Sequence, residues 1–155
     1  GAIASRKQLD GILAKLEANT SGEVVCGGRT VEPVAGGYYL EPTIINNVDN
    51  SAMIAQEEVF GPVLVVSSFK TEAQALELAN DTTYGLGAGV WTANLARAHR
   101  MTRDMQAGIV WANDYNALGI DRPFGGVKGT GNGRDKGIQA MSQYTTTKTS
   151  WINFG

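Results

Sequence analysis

Three places in this sequence hold side chains of the kind that does chemistry. The first is Gln56-Glu57-Glu58-Val59-Phe60-Gly61-Pro62, where two adjacent carboxylates precede an aromatic ring and a Gly-Pro turn. It feeds directly into the apolar run Val63-Leu64-Val65-Val66. A carboxylate at the mouth of a strand has two oxygens that can accept hydrogen bonds from a pair of vicinal hydroxyls. The same residues also read as a solvated turn followed by a core phenylalanine, and type and spacing do not separate the two.

The second place is Pro123 to Asp135, which has five glycines between Gly125 and Gly133. It lacks the Gly-Lys-Ser/Thr ending of a Walker phosphate loop. It also lacks the G-x-G-x-x-G spacing of a dinucleotide fingerprint. What the glycines supply is freedom for positive φ and for close approach to other segments. A flexible linker is the plainer alternative, although Pro123-Phe124 and Arg134-Asp135 are unusual ends for one.

The third place is the pair of single reactive residues. Cys26 closes the apolar run Val24-Val25 and is followed by Gly27-Gly28. An activated thiolate needs a cation or a helix N-terminus beside it, and neither is visible here. The residue therefore reads as a small buried hydrophobe. His99 sits between Ala98 and Arg100 in a helical pattern, as a structural face residue, and no second histidine supports a metal site.

The elements that must position these groups follow from periodicity. Leu9, Ile12, Leu13 and Leu16 recur at helical spacing, which predicts a helix over Ser5 to Ala18 with Ser5 as N-cap. Glu23 to Cys26 and Tyr38 to Ile45 read as extended, the latter interrupted by Pro42. Met53 to Glu58 makes a turn or two of helix. Val63 to Val66 has the pattern of a strand buried on both faces. Thr71 caps the next helix, a strand follows at Ala88 to Thr92, and a helix over Asn94 to Met105 ends at Gly108 as C-cap. Ile109 to Ala112 is again a strand. Two strand–helix–strand units between Val63 and Asn113 imply parallel strands with right-handed crossovers, hence an α/β fold. Ile138 to Tyr144 gives a helical turn or two. Thr145 to Phe154 is a lone β-rich tail that must pair with something distant.

Bulk properties narrow the class. With 155 residues the chain can bury one real core, and 43% hydrophobic with 18% charged residues is ordinary for a globular protein. A net charge of −2 gives no reason to expect nucleic acid or an anionic membrane as partner. No apolar run reaches the roughly 18 residues of a membrane span, and the first residues lack the order of a secretory signal. One cysteine forms no internal disulfide, so a reducing, cytoplasmic compartment is the expectation. Glycine is the outlier, 20 residues of 155, and these sit at turns between apolar runs, as ligand-binding loops require.

In order along the chain stand Glu57-Glu-Val-Phe-Gly-Pro-Val63, Tyr84-Gly85-Leu86, Gly108-Ile-Val-Trp-Ala-Asn113, the segment Pro123 to Asp135, and Lys148-Thr149. Together they resemble the NAD(P)-dependent aldehyde dehydrogenase superfamily over Ile3 to Phe154. The ending Lys-Thr-Ser-Trp-Ile is most similar to members acting on amino- or other ω-substituted aldehydes. The resemblance implies a three-layer, parallel-sheet catalytic-domain fragment over residues 1–144. It also implies an oligomerisation strand over 145–155, in a homo-oligomer.

In that family a cysteine thiolate attacks the aldehyde, hydride passes to the nicotinamide, and a glutamate-activated water releases the acid. The resemblance puts the nucleophile, the general base and the Rossmann-type domain upstream of Ile3. It implies no catalytic residue in this stretch beyond a possible proton relay at Asp135, where Glu is usual. Glu58 matches the glutamate that holds the nicotinamide ribose of NAD or NADP, and Phe60 the aromatic beside the nicotinamide. Asn116, Leu118 and Phe124 match the aldehyde tunnel, with Leu118 standing where many relatives carry an aromatic. No metal is implied. The competing readings are a non-catalytic α/β assembly module and a small oxidoreductase built on Cys26.

Overall fold

A computed structural model describes residues 1–155. The chain divides into two compact units, Gly1–Leu78 and Ala79–Gly155. The architecture is mixed α/β with three small sheets.

The first unit begins with helix α1, Arg6–Ala18. Ser5 is its N-cap in extended geometry, and its hydroxyl accepts from Gln8 N at 3.2 Å, satisfying one orphan donor of the first turn. Leu9 and Ile12 on its inner face are 3% and 1% exposed, which places them at the centre of the core. They pack with Ile3 and Leu40. Burial of such a side chain contributes about 1.5–3 kcal/mol.

Strands β1 (Glu23–Cys26), β2 (Thr30–Val31), β3 (Tyr39–Leu40) and β4 (Thr43–Asn46) follow, then a single-turn helix α2 (Met53–Gln56) and strand β5 (Val63–Val66). β4 is central: β1 pairs with it antiparallel and β5 parallel, while β2 and β3 form a separate antiparallel ribbon. A second apolar cluster of Ile45, Val48 and Ile54 lies beside the first, and Leu16, Val59 and Val63 pack against both. Thr43 is the buried polar residue of β4. Its hydroxyl donates to Glu41 O and accepts from Gly28 N, both at 2.8 Å, so its burial is satisfied.

Two expectations change here. β5 is not buried on both faces: Val63 and Val65 turn to the core while Leu64 and Val66 are exposed. Only one face of this sheet is covered by α1 and α2 residues. Cys26 is likewise exposed, because β1 is an edge strand with all four residues open and a bulge between Val24 and Cys26.

Just before α2, the Asp49 carboxylate accepts from Ser51 N at 2.8 Å and from its hydroxyl at 2.7 Å. The backbone bond first, and the hydroxyl second, hold Asp49 below the usual carboxylate range. A depressed folded pKa contributes stability that is present above the unfolded value of about 4 and is lost as pH falls through the folded one. Asp49→Asn is expected to flatten the pH dependence of unfolding below about pH 4 and leave it unchanged at neutral pH, as acid titration of thermal unfolding will show.

Helix α3 (Glu72–Asn80) starts with Gln74 N bonded to the Thr71 hydroxyl at 3.1 Å, as a cap requires. In the second unit, β6 (Gly87–Val90), α4 (Leu95–Asp104) and β7 (Ile109–Ala112) form a strand–helix–strand unit with parallel strands. Asn94 caps α4, accepting from Arg97 N at 2.9 Å. α4 stops at Met105, not at Gly108, with the Met105 N–H bonded to Met101 O. Of the two predicted crossovers, only β6–α4–β7 joins hydrogen-bonded strands. β5 and β6 belong to different sheets. Residues 128–130 and 138–144 are 3-10 helical turns. Residues 145–155 form no strand, since an extended segment becomes one only by pairing.

Candidate functional site

The turn from Glu57 to Pro62 is held from one side by α1. Lys15 Nζ meets Glu57 Oε2 at 2.8 Å and donates to the backbone carbonyl of Glu58 at 3.0 Å. About two helical turns back on α1, Gln8 Nε2 donates to the carbonyl of Phe60 at 2.7 Å. Gly61 lies directly on Ile12: a Cβ there would come within 2.6 Å of Ile12 Cδ1 and have to push that side chain aside. Val59 sinks into the core between these anchors, and its two neighbours are left outside.

Glu58 is exposed, and α1 engages only its carbonyl, not its carboxylate. Phe60 is 70% exposed. Its φ is +57°, a left-handed conformation that a bulky side chain adopts at about 1–3 kcal/mol. The neighbouring hydrogen bonds keep it there: Gln8 on Phe60 O, Val63 N on Gly61 O, and Thr43 N on Pro62 O, the last two at 2.8 Å. The turn thus carries an exposed aromatic beside a carboxylate that α1 does not engage.

The other sequence-predicted site residues belong to the second unit. Asn113 ends β7 with φ +56° and clasps Thr92, donating to its carbonyl at 2.9 Å and accepting its N–H at 2.8 Å. In the loop that follows, Asn116 is exposed with φ +61° and Leu118 is half-buried. Trp111 Nε1 donates to Ala117 O at 2.9 Å, tying this loop to β7. Phe124 and Asp135 face one another across an antiparallel bridge, exchanging two backbone hydrogen bonds of 2.7 Å. The Asp135 side chain is exposed, and Lys136 Nζ stands 5.9 Å from the Phe124 ring centroid.

The glycine-rich stretch is no linker. Gly85 O accepts from Gly108 N at 3.0 Å and Val127 N at 2.9 Å, and Gly85 N donates to Thr130 Oγ1 at 2.9 Å. Arg134 donates to the carbonyls of Gly126 and Gly133 at 2.7 and 2.8 Å. Lys128, itself at φ +56°, reaches back to Asn80 O at 2.7 Å and Thr82 O at 3.2 Å, neutralising the C-terminal end of α3. Sequence reasoning missed Gln8, Lys15 and Lys128. Their signal was faint: long polar side chains whose targets are carbonyls far along the chain.

Two hollows in the surface are lined by none of Glu58, Phe60, Asn116, Leu118, Phe124 and Asp135. One of about 340 Å³ in the first unit is lined by Arg6, Glu32 and Tyr38, among others. One of about 210 Å³ in the second is lined by Asn80, Gly85 and Gln106. Glu58 and Phe60 are exposed and line neither of these two hollows. The sulfur of Cys26 lies 3.8 Å from the Pro42 carbonyl, an electron-rich partner that does nothing to stabilise a thiolate. No three His, Cys, Asp or Glu side chains converge as metal ligands. No helix is long and apolar enough to cross a membrane.

Residues 1–150 match the aldehyde dehydrogenase family. The chain belongs to that family. It is 49% identical over 137 residues to the NADP/NAD-dependent aldehyde dehydrogenase PuuC of Escherichia coli, a match covering 88% of this chain and 27% of that protein. Against betaine aldehyde dehydrogenase of Cereibacter sphaeroides the identity is 43%, over 100% of this chain and 32% of the relative. Among solved structures, an indole-3-acetaldehyde dehydrogenase in complex with NAD+ superposes with a TM-score of 0.92 at 45% identity, covering 99% of this chain and 32% of that one. This aldehyde dehydrogenase chain thus spans about a third of the length of the relatives it matches, and it is homologous to NAD(P)-dependent enzymes.

Proposed function

We propose that the chain is part of an aldehyde dehydrogenase that turns aldehyde, NAD(P)+ and water into a carboxylic acid, with Glu58 and Phe60 of the first unit serving the nicotinamide site and residues of the second unit serving the aldehyde channel. The observation that carries this reading is the clamped turn that holds Glu58 and Phe60 outward. NAD(P)+ supplies the hydride acceptor when bound. The carboxylate of Glu58, unengaged by the protein, accepts hydrogen bonds from the two ribose hydroxyls and fixes the sugar. Phe60 covers one side of the reaction path and excludes water from it.

Asn116, Leu118 and Phe124 line the aldehyde channel. Leu118 leaves it wider than an aromatic would, which suits ω-substituted aldehydes with a bulky or charged far end. Asp135, tied to Phe124 through the backbone, is placed to relay a proton. The three-layer parallel-sheet organisation belongs to the whole enzyme, with residues 1–144 as part of its catalytic domain. Residues 145–155, whose Trp151 and Phe154 are 90% and 94% exposed, form its oligomerisation strand.

The nucleophile and the pyrophosphate-binding residues lie on the rest of the enzyme. The 155 residues alone are therefore expected to oxidise no aldehyde and to bind NAD+ more weakly than millimolar. Calorimetric titration of the isolated chain checks this, and micromolar affinity or cofactor reduction that alkylation of Cys26 abolishes contradicts it.

A further inference from the structure

We infer that Lys15 is a positioning residue for the cofactor, acting through the carbonyl of Glu58 and selecting which of two adjacent carboxylates meets the ribose. The inference rests on the reading of Glu58 given above. Glu57 and Glu58 are chemically identical, adjacent and both exposed, and Lys15 engages the carboxylate of Glu57 but only the carbonyl of Glu58. Lys15 Nζ takes Glu57 Oε2 at 2.8 Å and, with the same ammonium, the Glu58 backbone oxygen at 3.0 Å. Glu57 is thereby occupied in an ion pair, and the peptide that carries Glu58 is pinned in one orientation. The Lys15 side chain is 29% exposed, so this bridge is less screened than an open surface pair.

The geometry of α1 supports the role. Gln8 and Lys15 sit about two turns apart and so project from one face, where they hold the two carbonyls on either side of Val59. Val59 packs against the core, while Glu58 and Phe60 on either side of it are exposed. Loosening the Lys15 end frees the Glu58 peptide to rotate while the Phe60 end stays fixed. The expected defect is therefore in holding the ribose, not in the passage of the aldehyde.

The test uses the complete enzyme and reads equilibrium NAD+ binding by calorimetry alongside kinetics and thermal stability. Lys15→Met, which keeps the apolar stem and removes the ammonium, is expected to weaken NAD+ binding and raise its KM about tenfold, the effect of one hydrogen bond to a charged group. The aldehyde KM and kcat stay within about twofold. Lys15→Arg recovers most of the loss.

The double exchange K15E with E57K separates the two contacts, since it restores an ion pair but leaves no donor from α1 to the Glu58 carbonyl. Stability is expected to return while NAD+ binding stays weak. Full recovery of both by the exchange, or NAD+ binding unchanged in a folded Lys15→Met, overturns the positioning role. If Lys15→Met does not fold, the exchange alone decides. Glu58→Gln distinguishes the two levels: if it weakens NAD+ binding and the Lys15 variants do not, the positioning role fails and the cofactor site stands. If Glu58→Gln has no effect, the site itself is misassigned and the role of Lys15 falls with it.

Discussion

Gly108→Ala is expected to destabilise the protein by at least about 3 kcal/mol, the range of a core clash that cannot relax. Gly108 lies between α4 and β7, at the point where the glycine-rich segment crosses. A Cβ there would collide with the carbonyl oxygen of Gly125 and lie 2.7 Å from its carbonyl carbon and 3.1 Å from Gly126 Cα. All three are backbone atoms, so no side chain can swing aside. The backbone at Gly108 is not left-handed, so the penalty comes from space alone. Relief would require the segment to withdraw, and with it the hydrogen bonds that Gly108 and Val127 make to Gly85 O. Gly11→Ala is the matched control. Nothing lies within 4 Å of a Cβ at that position in α1, and alanine there is expected to stabilise by about 0.5–1 kcal/mol. Thermal unfolding of the two variants should diverge in opposite directions, and equal melting temperatures would show that the crossing is looser than described.

In the complete enzyme, Glu58→Gln is expected to raise the KM for NAD+ by about 10- to 100-fold. Two hydroxyls donating to a carboxylate make charge-assisted bonds worth about 1.5–3 kcal/mol each, and an amide keeps only one good acceptor oxygen for them. Glu57→Gln changes little by comparison, because its carboxylate is engaged by Lys15 and that ammonium retains the Glu58 carbonyl. Steady-state kinetics on both variants tests the asymmetry. A larger effect at Glu57 than at Glu58 would reverse the assignment of the two carboxylates.

Much of the local structure was legible before any coordinates. α1 and its Ser5 cap, α3 and its Thr71 cap, and the strands at Glu23, Val63 and Ile109 follow from apolar spacing and capping chemistry. What failed was non-local. The run Val63 to Val66 looks doubly buried by composition, but burial depends on what covers each face, and Leu64 and Val66 face outward here. Cys26 sits among valines yet is exposed, because an edge strand can be apolar without being covered. Gly108 looked like a helix cap; the α4 ladder instead closes at Met105, and the glycine is needed for close packing. Local pattern also could not say that β5 pairs with β4 and β6 with β7.

The candidate site divides the same way. Glu58 and Phe60 could be nominated from their motif, whereas Asn116, Leu118 and Phe124 came only from the family resemblance. Their presentation could not be foreseen, since it depends on Gln8 and Lys15 reaching carbonyls 52 and 43 residues away. The left-handed backbone at Phe60 was equally invisible, because nothing in a phenylalanine announces positive φ.

The most direct test is calorimetric titration of the complete enzyme and its Glu58→Gln and Phe60→Ala variants with NAD+ and with ADP-ribose, which keeps the ribose and lacks the nicotinamide. Glu58→Gln should weaken both ligands alike, and Phe60→Ala should weaken NAD+ alone. Wild-type affinity in both variants, or a Phe60→Ala loss shared by ADP-ribose, would contradict a nicotinamide wall built from these two residues.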